Sequence, residues 1–118
     1  MIEKQEAIQI LDEFMIHYED LMKKNLNNGN EAKSEEMAGM GILCFGLRYH
    51  GVLHEDVKDI FDAIQQRKDH YDELIETDKA MGDNDLLHRH KDFRKYLDIL
   101  EKRFRTIEKN KLRKEGAS

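Results

Sequence analysis

The sequence predicts an all-α fold, an antiparallel up-down bundle of about four helices with a long C-terminal helix. Three observations predict it. No proline occurs among the 118 residues, so the strongest helix breaker is missing throughout. Apolar residues recur at intervals of three and four, the period of one helix face. Clusters of Asn, Gly and Asp interrupt that period near residues 25–30 and 82–85, where they mark turns. The length fits a single helical domain over residues 1–118, with 110–118 a fraying basic tail.

The first helix is expected over Glu3 to Asn25, with Ala7, Ile10, Leu11, Phe14, Tyr18 and Leu21 on its apolar face. The Asn-Gly run that follows closes it, because these residues tolerate left-handed backbone. A second helix is expected over Glu31 to Tyr49, with Ser34 capping a late start. Its middle, from Met37 to Leu47, is apolar or small on every side. That pattern predicts a buried central helix, with Met40, Ile42, Leu43, Cys44 and Leu47 among the least exposed residues. Gly39, Gly41 and Gly46 lower helix propensity there, which predicts close backbone approach by a neighbouring helix.

Gly51 is expected to end the second helix. A third begins near Glu55, where Asp56 and Asp59 suit the positive end of a helix dipole. Val57, Ile60, Phe61, Ile64, Tyr71, Leu74 and Ile75 form its apolar face. Asp83 or Asn84 then caps the fourth helix. Its residues Leu86, His90, Phe93, Leu97, Leu100, Phe104 and Ile107 alternate spacings of four and three, a heptad seam of about three repeats. The segment His17 to Leu21 echoes His70 to Leu74, but the flanking residues do not match, and no internal repeat is read from it.

Composition narrows the function classes. Charged residues make up 38% of the chain, and the formal charge is −5. The charge is uneven: residues 1–62 carry 6 Lys and Arg against 13 Asp and Glu, whereas residues 88–118 carry 11 against 5. A single cysteine, Cys44, permits no internal disulfide and predicts a reducing, cytoplasmic setting. Glu3, Lys4, Gln5 and Glu6 interrupt any leader-like start, and the longest apolar run, Ile42 to Phe45, is far too short to span a bilayer. No membrane contact is expected.

No catalytic residue, metal ligand or cofactor is assigned. His50 and His54 flank the expected turn at Gly51, and His70 precedes Glu73 without the inward carboxylates of a di-iron bundle. His90 on the seam reads as a hydrogen-bonded core histidine. Cys44 in an apolar stretch reads as inert core.

Two charged patterns carry alternatives. Lys91, Lys95, Lys102, Arg105 and Lys109 lie opposite the seam of the last helix and form a stripe able to meet phosphates, with Asp98 interrupting it. The acidic front half supports the converse idea, a mimic of nucleic acid. Glu31, Glu35 and Glu36 on helix two, and Asp56, Asp59 and Asp62 on helix three, resemble in outline the all-helical nucleoside triphosphate pyrophosphatases of the MazG type. That resemblance, joined by the basic Lys109-Asn110-Lys111, implies magnesium-dependent nucleotide hydrolysis, with carboxylates on two adjacent helices holding the metal. The family's paired glutamates would need an acid at position 39, where Gly39 stands.

The main expectation is a non-enzymatic helical protein-interaction module. It fits a small bacterial regulator, or a phage-encoded accessory or inhibitor protein that binds a host protein. Tyr96, Ile99, Arg103, Phe104 and Ile107 on the last helix are the expected partner-binding residues, for a second protein or for a homodimer.

Overall fold

The computed structural model describes residues 2–53 and 58–117. Four helices, α1 (Lys4–Asn27), α2 (Glu31–Leu53), α3 (Lys58–Met81) and α4 (Asn84–Ala117), make an all-α bundle with no strand among the described residues. The expected starts of α3 at Glu55, Asp56 and Val57 lie outside the described residues.

The helix ends follow local chemistry. Glu6 turns back to accept the backbone N–H of Glu3 at 3.3 Å, which satisfies one orphan donor at the start of α1. Gly29 sits at φ 77° after the end of α1, and the Asn30 N–H returns to the Asn25 carbonyl at 2.8 Å. Asn30, not Ser34, caps α2: its side-chain oxygen accepts the Lys33 N–H at 3.3 Å. Ser34 lies inside α2, and its hydroxyl donates to the Met22 carbonyl at 2.9 Å, pinning α2 to the last turns of α1. Gly82 at φ 70° ends α3, and Asp83 caps α4 by accepting the Leu86 N–H at 3.1 Å. Gly51 does not end α2, which continues to Leu53. An intrahelical glycine costs only about 1 kcal/mol, and the helix carries it.

α1 and α2 form one closely packed antiparallel hairpin, and α3 and α4 form the other. The first is held at both ends, by Ser34 on Met22 and by Arg48 on Asp12 at 2.6 Å. The second is held along its length, from Phe61 against Phe104 to Asp78 against His90. The hairpins meet through α2 against α3 and α4, and through α1 against α4, while α1 and α3 share no contact among the described residues. The cross-section is therefore a flattened rhombus with α2 and α4 on its short diagonal. α4 has 34 residues, about 51 Å at 1.5 Å each, and it spans the 53 Å long axis as the spine.

Leu11, Met40, Cys44, Leu47, Ile60, Ile64, Leu97, Leu100 and Phe104 fill the centre. The heptad seam of α4 is thus the inner face of the bundle, except that Leu86 at its start is exposed. The apolar middle of α2 is not buried all round. Met37, Met40, Cys44 and Leu47 point inward, Leu43 is half-buried, and Ile42, Phe45 and Tyr49 point outward. The neighbour at Gly39 is a side chain and not the expected backbone: a Cβ would stand 2.9 Å from Phe93 Cζ on α4. At Gly41 a Cβ would meet nothing within 4 Å.

Candidate interaction face

Two helical stripes carry Ile16, Ile42, Phe45 and Tyr49, four of the large apolar side chains exposed among the described residues. On α2, Ala38, Gly41, Ile42, Phe45 and Tyr49 follow at spacings of three, one, three and four, which places them on one side of the helix. On α1, Met15, Ile16 and Met22 do the same. The α1–α2 hairpin sets the stripes side by side around an open groove of about 660 Å³ on the face turned away from the core. Asp12 and Glu19 form its polar edge. Each already has a cation: Arg48 on Asp12 at 2.6 Å, and Lys23 on Glu19 at 3.2 Å. Ile16, Ile42 and Phe45 stand exposed at the groove, and Tyr49 stands exposed one turn beyond Phe45 on the same side of α2, where each contributes an apolar surface that water solvates poorly.

The partner-binding residues expected on α4 fall elsewhere. Phe104 is 1% exposed and packs edge-on against Phe61 at 5.7 Å, so it is core and not a contact surface. Tyr96 is half-buried; its ring lies 5.6 Å from Tyr18, and its hydroxyl accepts a hydrogen bond from Lys33 Nζ at 2.9 Å. Ile107 packs against the core from its edge. Ile99 and Arg103 are exposed. Phe104, Tyr96 and Ile107 are covered because α1, α2 and α3 all reach α4, which leaves only Ile99 and Arg103 of the expected set facing solvent.

The basic stripe on α4 is a surface, with Lys91, Lys95, Lys102, Arg105 and Lys109 all exposed. Its charge is diluted. Arg105 binds Glu101 at 2.9 Å and lies over the Phe61 ring at 5.3 Å. Asp98 binds Arg94 at 2.6 Å, and Glu101 also takes buried Lys68 at 2.7 Å. Burial pushes the Glu101 carboxyl up, but its bonds to Lys68 and Arg105 together outweigh that and hold it below the ordinary carboxylate value.

The acidic residues of α2 and α3 do not converge. Glu36 points into the α2–α4 seam, Glu35 reaches Arg89 at 3.5 Å, and Glu31 is exposed at the same end of α2. Asp59 and Asp62 sit at the start of α3, which the antiparallel packing puts at the opposite end of the bundle. Asp56 and His54 lie outside the described residues. No group of three His, Cys, Asp or Glu side chains among the described residues could hold a metal ion.

Sequence reasoning missed the polar cluster between α2 and α4. Lys33 Nζ lies 2.9 Å from Glu36 and 3.8 Å from Asp92. Glu36 is buried, and its Oε1 has no hydrogen-bond partner. Burial and the facing Asp92 carboxyl raise the pKa of Glu36 against the opposing pull of Lys33. His90 Nδ1 lies 2.6 Å from Asp78 Oδ2, and the His90 ring rests on Tyr71, which makes it the hydrogen-bonded seam histidine that its position predicts. Cys44 is fully buried, and burial pushes its thiol up to about 12, so almost none is ionised near neutrality.

No helix among the described residues is long and apolar enough to cross a membrane. No protein-family model matches the chain, and neither a curated protein nor a solved structure shows significant similarity to it.

Proposed function

We propose that this chain is a non-enzymatic helical interaction module that works by presenting the α1–α2 face to another protein, in the cytoplasm of a bacterial or phage-infected cell. The observation that carries the reading is the contiguous outward set Ile16, Ile42, Phe45 and Tyr49 on two adjacent helices. A contiguous apolar patch of this kind marks an interaction surface more often than isolated exposed residues do. The charged interior supports the same reading. Lys68, Arg94, His90 and Lys33 are each engaged with carboxylates of the neighbouring helix or their own, so they act as clips between helices and not as free groups around a substrate pocket. Cys44, buried and un-ionised, suits a reducing compartment.

Affinity capture with the intact chain, beside the double variant Ile42→Glu and Phe45→Glu, tests the reading. Proteins retained by the wild type and lost by the variant are expected, with helical content and melting temperature unchanged because both side chains already face water. An identical capture profile for the two chains, with a wild type that does not self-associate, removes the α1–α2 face as the working surface.

A second reading uses Lys91, Lys95, Lys102 and Lys109, four exposed lysines along one face of α4, as contacts to nucleic-acid phosphates. Asp98 and Glu101, interleaved with them, weigh against it.

A further inference from the structure

The α1–α2 face carries both halves of a self-complementary contact. On the α2 stripe the small residues Ala38 and Gly41 come first, and the bulky Ile42, Phe45 and Tyr49 follow. Gly41 lines the groove, and nothing lies within 4 Å of where a Cβ would be, so that point of the groove is open. A twofold contact requires one patch to hold both the knob and the hole, because each copy offers the same surface. Antiparallel docking of α2 on α2 about an axis between residues 41 and 42 meets that requirement. It sets Phe45 of one copy over Ala38 of the other, and Ile42 over Gly41.

Charge permits the same arrangement. The groove edge holds Asp12 and Glu19, each paired within its own chain, with Arg48 and Lys23. Two copies therefore bring neutral edges together, although the chain as a whole is acidic. Met15 and Met22 line the floor, and their unbranched side chains adapt to an incoming ring.

The area suffices. Ile16, Ile42, Phe45 and Tyr49 are 61, 71, 56 and 60% exposed. Side chains of this size carry on the order of 150–200 Å², so the four leave roughly 400–500 Å² per copy open. Complete closure over these side chains hides roughly 900 Å² across two copies, the size of a weak, transient interface.

We propose that the α1–α2 face is occupied by a second copy of this chain in a symmetric, micromolar-range dimer. This rests on the reading of that face as the interaction surface, and it names the partner. The dimer is not the one expected from the sequence, because Phe104, Tyr96 and Ile107 of the α4 strip pack inside the bundle and leave only Ile99 and Arg103 exposed.

The test is sedimentation velocity on the intact chain from about 1 to 300 μM, with wild type and the Ile42→Glu, Phe45→Glu variant. The wild type is expected to move from 14.0 kDa toward twice that mass. The variant is expected to stay monomeric, with its dissociation constant raised by about 100-fold or more, since each copy would bury two unpaired carboxylates. Circular dichroism checks that both are folded. Gly41→Cys should form an intermolecular disulfide under mild oxidation, as it lies within a residue of the proposed axis, while Gln65→Cys on the exposed side of α3 should not.

A wild-type monomer at 300 μM overturns the dimer, as does a dimer that the double variant leaves intact. If the wild type is monomeric while the variant loses captured proteins, only the identity of the occupant falls. If capture is also unchanged, the interaction reading falls with it.

Discussion

Two glycines two residues apart in α2 offer a controlled measurement of how closely α4 packs. Replacing glycine by alanine inside a helix stabilises by about 1 kcal/mol when the new methyl meets nothing. At Gly41 it meets nothing, so Gly41→Ala should gain about that amount. At Gly39 the methyl would stand 2.9 Å from Phe93 Cζ and 3.3 Å from Cε1. The Phe93 ring cannot simply retreat, because it stacks on Tyr71 with centroids 5.6 Å apart. Overpacking of that kind costs about 1–3 kcal/mol. Gly39→Ala should therefore run from neutral to about 2 kcal/mol destabilising, and the two variants should differ by about 1–3 kcal/mol. Urea unfolding followed by circular dichroism, with each glycine variant also carrying Ile42→Glu and Phe45→Glu so that self-association does not contribute, measures both. Phe93→Leu shortens the ring and should restore the gain to Gly39→Ala when the two are combined. Equal stabilisation by Gly39→Ala and Gly41→Ala would refute the packing of Phe93 against α2.

Three further outcomes are expected. The raised pKa of Glu36 means that the folded state holds this proton more tightly than the unfolded chain, so its stabilising contribution is present below the ordinary carboxyl value and is lost as the pH rises through the raised one; Glu36→Gln should match wild type near pH 4 and exceed it by about 1 kcal/mol at pH 7, and a variant less stable than wild type at pH 7 contradicts the assignment. Lys68→Met leaves Glu101 half-paired on the buried side of α4 and should cost about 1–3 kcal/mol, whereas combining it with Glu101→Leu should recover most of the loss in a double-mutant cycle of thermal unfolding. Fluorescence anisotropy with duplex DNA and RNA should show no binding tighter than micromolar at 0.15 M salt; a log–log salt slope of about −3.6, the mark of four phosphate contacts, would instead establish the lysine stripe of α4 as a nucleic-acid surface.

Much of the scaffold was legible because it depends on local chemistry. The three-and-four spacing of Leu97, Leu100 and Phe104 is enough to place them inward, and Asp83 after Gly82 is enough to start α4. The candidate site was less legible. Periodicity separates apolar from polar positions, but it does not say what an apolar position faces. Ile42 and Phe45 carry the same hydrophobicity as Met40 and Leu47, yet two face solvent and two face the core. The groove also needs Met15 and Ile16 from a helix more than twenty residues away, and only the turn geometry at 28–30 aligns the two stripes. Glu36 was counted among carboxylates available for a metal because its burial against Asp92 and Lys33 depends on the rotation of α2 relative to α4.

The central position of α4 also bears on how the chain is made. Each hairpin closes between neighbours in sequence, which keeps loop-closure entropy small and favours rapid folding. The first hairpin can form while translation continues. Its inner side, with Leu11, Met40, Cys44 and Leu47, then waits for Leu97, Leu100 and Phe104. Until α4 has been synthesised, both sides of that nascent hairpin are apolar, and an intermediate of this kind is a target for chaperones and for aggregation. A message truncated anywhere between residues 54 and 96 would thus yield a product that lacks the α4 core residues, prone to proteolysis rather than to partial activity.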